Sequence, residues 1–244
     1  MTILRSMLFV PGDSEKKLAK GAGVGADALI LDLEDAVAAA RRPVAREMIR
    51  EYLKSADRSR SELWVRMNPL DSADSLRDIA AVVCAKPDGI ALPKCNGPDD
   101  VLQLSHWLDV LEVEHGIEQG SIAICAIATE TAAAPFTLGQ YKGAPRLRIL
   151  TWGAEDLAAA LGASSNKDAA GNYTAPYVLA RSLCLFGAHA AGVQHPPGLG
   201  GLLGHHHPDG GRHGRFVEAA GDLGHPRYGG EAQVVVRVIA AQGA

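Results

Sequence analysis

Through residue 193 the chain alternates between short apolar runs and longer amphipathic stretches. The apolar runs are "SMLFVP" (6–11), "DALILDLE" (27–34), "ELWVRMNP" (62–69), "GIALPK" (89–94), "SIAICAIATE" (121–130) and "RLRILTW" (146–152). Bounded by turn residues and continuous rather than alternating in polarity, they read as strands buried on both faces. The amphipathic stretches lie near 14–24, 42–54, 72–84, 98–115, 130–140 and 155–161 and predict helices. Asp13-Ser14 before "EKKLAK" and Gly97-Pro98-Asp99 before "DVLQLSHWL" supply helix-start chemistry. A further helix-like stretch, 176–192, follows the polar loop "GASSNKDAAGN" (162–172).

Six repeats of strand then helix imply parallel strands joined by helical crossovers. An open doubly wound sheet and a (β/α)8 TIM barrel both fit. No GxGxxG follows the first strand, and "GAGVG" precedes a strand instead, a weak nucleotide signal. Polar groups do sit at the end of nearly every strand: Asp32, Glu34 and Asp35, then Arg66, Lys94, Glu130 and, just beyond the sixth, Asp156. Barrels build their sites at that face, which favours the barrel. Its strands seven and eight are not recognisable, so the barrel is expected to be incomplete or irregular at its C-terminal end.

The reason is a change of character at residue 195. Residues 195–230 hold 11 of the 27 glycines and 6 of the 9 histidines, and periodicity returns only in "AQVVVRVIAA" (232–241). The chain therefore divides into a barrel domain, 1–194, and a divergent Gly/His/Pro-rich tail, 195–244, whose composition suits a frame-shifted reading of a GC-rich gene or a deliberately divergent segment. Its His205-His206-His207 lacks the spaced partners of a structural metal site.

Composition narrows the function classes. With 244 residues and 47% hydrophobic content the core is ample, and a net charge of -4 carries no basic footprint for nucleic acid. The N-terminal apolar run is short for a signal peptide and no run reaches a membrane span. Cys84, Cys95, Cys125 and Cys184 lack CxxC spacing and read as reduced packing residues of a cytoplasmic protein.

Candidate chemistry concentrates on carboxylates. Glu130 and Asp156 follow adjacent strands and would converge at one rim, where two carboxylates with room for water suit Mg²⁺; as first-turn acids they would instead complement helix dipoles. Arg66, after a strongly apolar run, suits a substrate carboxylate through its planar fork, or a buried ion pair with the 32–35 acids. Three close acids need an offsetting cation, so Asp32, Glu34 and Asp35 are expected to hold Arg66 or Lys94 in place. No nucleophile elbow, P-loop or HExxH occurs.

Taken together, "RSMLFVPGDSEKKLAKG", "ADALILDLEDAV", "VRMNP", "LPK", "ATETA" and "WGAEDLAAALGAS" resemble the citrate lyase beta-subunit-like family of CoA-ester lyases, within the HpcH/HpaI aldolase superfamily. The resemblance covers roughly residues 4–194. It implies a Mg²⁺-dependent (β/α)8 barrel, a homotrimer, acting on 3-hydroxyacyl-CoA esters such as citryl-, malyl- or citramalyl-CoA. Glu130 and Asp156 match the family's metal ligands, Arg66 its substrate-carboxylate arginine, and Glu130 also lies next to substrate. Asp32, Glu34 and Asp35 match an acidic cluster close to the site. The sequence does not identify the base that removes the hydroxyl proton: a 32–35 carboxylate acting through water and a group from a neighbouring subunit are both open. The family continues past "AAGVQ" with an "IDTVYxDF" strand and an "IHP" strand, and neither is found here. A catalytically impaired remnant and a metal-dependent aldolase for free 2-oxo acids are the competing readings.

Overall fold

A computed structural model describes residues 4–194. Strand and helix alternate as β1 (Met7–Pro11), α1 (Glu15–Ala22), β2 (Ala28–Asp32), α2 (Arg42–Ser55), β3 (Glu62–Arg66), α3 (Ser75–Val82), β4 (Gly89–Leu92) and α4 (Pro98–Glu114). β5 (Ala123–Ile127), β6 (Leu147–Thr151), α5 (Ala154–Ala160) and α6 (Ala175–Ala191) follow. The six strands are parallel and ordered as in the chain, β1 to β6, the arrangement of a TIM barrel wall. At Gln194 the backbone forms a parallel bridge with Ile149, so the described chain reaches a seventh position beside β6. Strands seven and eight, the tail assigned to 195–244 and its histidines lie outside the described residues.

Sequence chemistry sets the helix starts. Ser14 caps α1 by accepting from the Lys17 amide, and Pro98 opens α4, where its missing N–H costs nothing. The expected helix over 130–140 is a correction. Two 3-10 turns, Ala134–Phe136 and Leu138–Gln140, stand there, because Pro135 lacks an amide and Gly139 weakens the next turn.

Burial divides into two layers. Leu29, Leu31, Leu63, Val65, Ile90, Leu92 and Ile124 face the helices, with Ile49, Leu53, Ile79, Leu104 and Leu108 packed over them. The alternate residues Ala28, Ile30, Trp64, Ala91, Cys125 and Ile149 fill the inside, where small side chains make room for Trp64. Cys95, Cys125 and Cys184 are buried, Cys84 is half-buried, and all four are free thiols. Among the described residues no helix is long and apolar enough to cross a membrane.

Candidate metal and carboxylate-binding site

The C-terminal ends of β2 and β3 bring Asp32 and Arg66 together by register alone, since they are cross-strand partners. Arg66 Nε donates to Asp32 Oδ1 at 2.7 Å and Nη2 to Oδ2 at 2.5 Å. The same oxygens accept the Glu34 amide at 3.0 Å and the Ala36 amide at 3.1 Å. Asp32 is fully buried, and the guanidinium lies 4.7 Å above the Phe9 ring. Burial pulls the Arg66 pKa down, but the charge and hydrogen bonds of Asp32, then Glu34 and Asp35, outweigh it and leave it well above its ordinary value. The fork is therefore occupied, and Nη1 turns to Glu34 Oε2 at 2.9 Å. That contact is an ion pair off the hydrogen-bond line, so Oε2 is a buried oxygen without a hydrogen bond. Asp35 stands further off, 3.8 Å from both Arg66 and Lys94.

Lys94 joins this cluster to the second pair of acids. Its backbone is left-handed, with φ of 51°, and its amide donates to Glu130 Oε2 at 2.7 Å. Its Nζ reaches Glu34 Oε1 at 2.5 Å and Asp156 Oδ1 at 3.4 Å. Burial lowers the Lys94 pKa, while Glu34, then Asp156 and Asp35, raise it further than burial takes away. Glu34 is pushed up to about 7 by burial, against the pull of Arg66 and Lys94.

Glu130 and Asp156 converge on Lys94 from β5 and the first turn of α5. Glu130 is buried and lies against Gly153, where a Cβ would stand 2.6 Å from Glu130 Oε1. Thr129 Oγ1 accepts the Gly153 amide at 2.9 Å, locking the two strand ends together. Burial, then the Asp156 charge, pushes the Glu130 pKa up to about 8.

Five carboxylates thus surround two cations. Glu130 Oε1 accepts no hydrogen bond among the described residues. An excess of negative charge in a partly dry rim, with oxygen donors free, fits a hard divalent cation; Glu130 and Asp156 would hold Mg²⁺. Among the described residues no three His, Cys, Asp or Glu side chains are arranged around one point. Water or ligand oxygens would fill the remaining positions. A cleft of about 360 Å³ opens beside the cluster, lined by Pro69, Leu70, Lys94, Asn96, Asp100 and Thr131. A larger one, about 610 Å³, lies at the opposite mouth near Arg58, Glu62, Lys86, Asp88 and Arg148; there Arg148 and Glu62 already satisfy each other in a bidentate pair.

Sequence reasoning missed what pins these strand ends. Asp78 on α3 accepts from Arg46 Nε at 2.7 Å and from the Asn68 amide and Nδ2 at 2.8 and 2.7 Å. Asn68 Nδ2 also donates to the Leu33 carbonyl at 2.9 Å, between Asp32 and Glu34. The signal present was Asn68 before Pro69; the role of Asp78 has no local signature.

Residues 5–196 match the sequence pattern of the HpcH/HpaI aldolase/citrate lyase family. Over 185 residues the chain is 37% identical to a citrate lyase subunit beta-like protein of Mycobacterium tuberculosis, covering 76% of this chain and 60% of that protein. It is 32% identical over 189 residues to a (3S)-malyl-CoA thioesterase of Cereibacter sphaeroides, covering 78% of this chain and 60% of the other. The chain thus spans about 60% of the length of these curated relatives. The fold superposes on the M. tuberculosis citrate lyase beta subunit complexed with oxaloacetate and magnesium with a TM-score of 0.67 and 32% identity, covering 80% of this chain and 78% of that one. A structure of CitE from the same organism with magnesium, acetoacetate and coenzyme A gives 0.67 and 32%, covering 80% and 65%.

Proposed function

The chain belongs to the HpcH/HpaI aldolase/citrate lyase family, and from that premise we propose that it is a Mg²⁺-dependent carbon–carbon lyase for 3-hydroxyacyl-CoA esters of the citryl-, malyl- or citramalyl-CoA type. The observation that carries the reading is the convergence of Glu130 and Asp156 on Lys94, one through the Lys94 amide and the other through its ammonium. Mg²⁺ held by Glu130 and Asp156 supplies, when bound, Lewis acidity toward carbonyl and carboxylate oxygens.

The chain's own residues do the rest. Arg66, with its fork fixed by Asp32, keeps its charge and offers the remaining Nη protons to a ligand carboxylate and to developing enolate charge. Lys94 neutralises Glu34 and Asp156 and holds Glu130 in place. Glu34, pushed up to about 7 by burial, is a carboxyl able to exchange a proton near neutrality. Subunit association as a homotrimer belongs to the same reading. Phe136 is 85% exposed and Phe186 and Leu179 on α6 are exposed too, apolar surface that a neighbour would cover.

The test is turnover of malyl-, citramalyl- and citryl-CoA with and without Mg²⁺, followed by detection of acetyl-CoA and the oxo acid. Cleavage of a free 2-oxo acid aldol with no thioester requirement would move the assignment to the aldolase side of the family.

A further inference from the structure

The two halves of the candidate site, the Glu130–Asp156 pair and the Arg66 fork, meet at the Lys94 ammonium. Lys94 Nζ stands 2.5 Å from Glu34 Oε1 and 3.4 Å from Asp156 Oδ1. Glu34 passes the contact on, because its other oxygen, Oε2, faces Arg66 Nη1 at 2.9 Å. Side chains of alternating charge therefore run in a row: Asp156, Lys94, Glu34, Arg66, Asp32.

The contacts along this row are unequal. At 3.4 Å the Lys94 contact to Asp156 is one of charge, beyond ordinary hydrogen-bond length. Arg66 is fixed as a body, with Nε and Nη2 on Asp32 at 2.7 and 2.5 Å and the guanidinium over the Phe9 ring. Its Nη1 contact lies off the hydrogen-bond line and leaves Glu34 Oε2 a buried oxygen without a hydrogen bond. Glu34 is thus shared by two cations and bonded well to only one. Its side chain is 3% exposed, so water screens neither pull. Asp35, 3.8 Å from both cations and 44% exposed, is a weaker side branch. Meanwhile the Lys94 amide, not its side chain, anchors Glu130. The ammonium can therefore shift between Asp156 and Glu34 while Glu130 stays in place.

We propose that Lys94 is a positioning residue that couples the two halves: a divalent ion on Glu130 and Asp156 releases the ammonium to Glu34, and Glu34 then releases Arg66 Nη1 for the substrate carboxylate. The ammonium is a stand-in that Asp156 gives up for an ion of twice the charge. Metal uptake, rather than substrate, readies Arg66. By reciprocity, an anion taken by Nη1 frees Glu34 for Lys94 and tightens the metal. The ion is the one placed at Glu130 and Asp156 under the proposed function, on which this step rests.

The test needs no substrate. The full chain, with ¹⁵N-labelled arginine, is titrated with Mg²⁺ alone at pH 8, above the value of about 7 to which burial raises Glu34. Calorimetry gives the metal affinity, and the Arg66 side-chain nitrogen signals, assigned by their loss in Arg66→Lys, report from the far end of the row. In the wild type these signals should move saturably, with the calorimetric Kd. Lys94→Met should bind Mg²⁺ several-fold more tightly, and Glu34→Gln several-fold more weakly because Lys94 is left to Asp156. Both variants should lose most of the Arg66 response. An Arg66 shift of equal size in all three proteins would be the ion's field acting through space and overturns the coupling. So does a wild-type Arg66 signal that ignores Mg²⁺, and Lys94→Met binding Mg²⁺ no tighter than wild type overturns the stand-in. No Mg²⁺ binding to the wild type overturns the metal placement and this coupling with it, a failure distinct from Mg²⁺ binding that Arg66 does not feel.

Discussion

Gly153→Ala tests the candidate metal site with one methyl group. The backbone at 153 is extended, φ -132° and ψ 120°, and alanine adopts it without strain. The obstacle is Glu130: the new Cβ would stand 2.6 Å from Oε1, 2.7 Å from Cγ and 3.0 Å from Cδ, where ordinary contact begins at 3.4 Å. The carboxylate must retreat by most of an ångström, and its other oxygen is anchored 2.7 Å from the Lys94 amide. With the ion bound and Glu130 ionised, losing that bond costs about 1.5–3 kcal/mol, and a displacement of roughly 1 Å at reacting groups lowers turnover by about 10²-fold. Titration calorimetry with Mg²⁺ and steady-state cleavage of the best thioester are the paired assays. The expected result is weakened Mg²⁺ binding, a turnover loss of about two orders of magnitude and a nearly intact helical spectrum. Wild-type metal affinity in Gly153→Ala would falsify the placement of the ion at Glu130.

Arg66→Lys should lower affinity for the substrate carboxylate about tenfold or more, because lysine has no planar fork to hold while paired with Asp32; inhibition constants for small oxo acids measure it. Glu130 in the metal-free protein keeps its proton until about 8, whereas its ordinary value is 4.5. The sign follows from linkage: this group's contribution to stability is complete below 4.5, falls as pH rises toward 8 and is gone above it. Mg²⁺ should therefore release a proton on binding at pH 7, seen as a buffer-dependent calorimetric heat that Glu130→Gln removes. Asp78→Ala leaves the buried Asn68 amide and Arg46 Nε without an acceptor, while Arg46 keeps Asp74 and Asn68 Nδ2 keeps the Leu33 carbonyl, and should cost about 1–3 kcal/mol in chemical denaturation.

The strands were legible because parallel strands covered on both sides write themselves as unbroken apolar runs, and all six predicted runs contain the observed strands. The helix expected near 130–140 was misread for a chemical reason. "TAAAPFTLGQ" has alanines with high helix propensity, yet Pro135 and Gly139 break the ladder into turns held instead by Thr137, which donates to the Asn96 and Ala134 carbonyls. The acid knot of 32–35 announced a need for cations, and it faces Arg66 and Lys94. What could not be read was geometry imposed from a distance. Asp78 looks like a solvent-facing helix acid until α2 brings Arg46 over it. Tyr177 and Arg181 look like an ordinary helical pair until Trp152 is folded against them.

The left-handed backbone at Lys94 sets two selective pressures against each other. A non-glycine residue in that region bears a strain of about 1–2 kcal/mol, which glycine would relieve and asparagine would ease. A screen that rewards thermal resistance alone should thus enrich Gly or Asn at position 94. Such winners would keep the amide that fixes Glu130 and discard the ammonium that neutralises Glu34 and Asp156. Sequenced survivors of a heat selection, assayed afterwards for turnover, would separate what the fold tolerates at this position from what the chemistry demands.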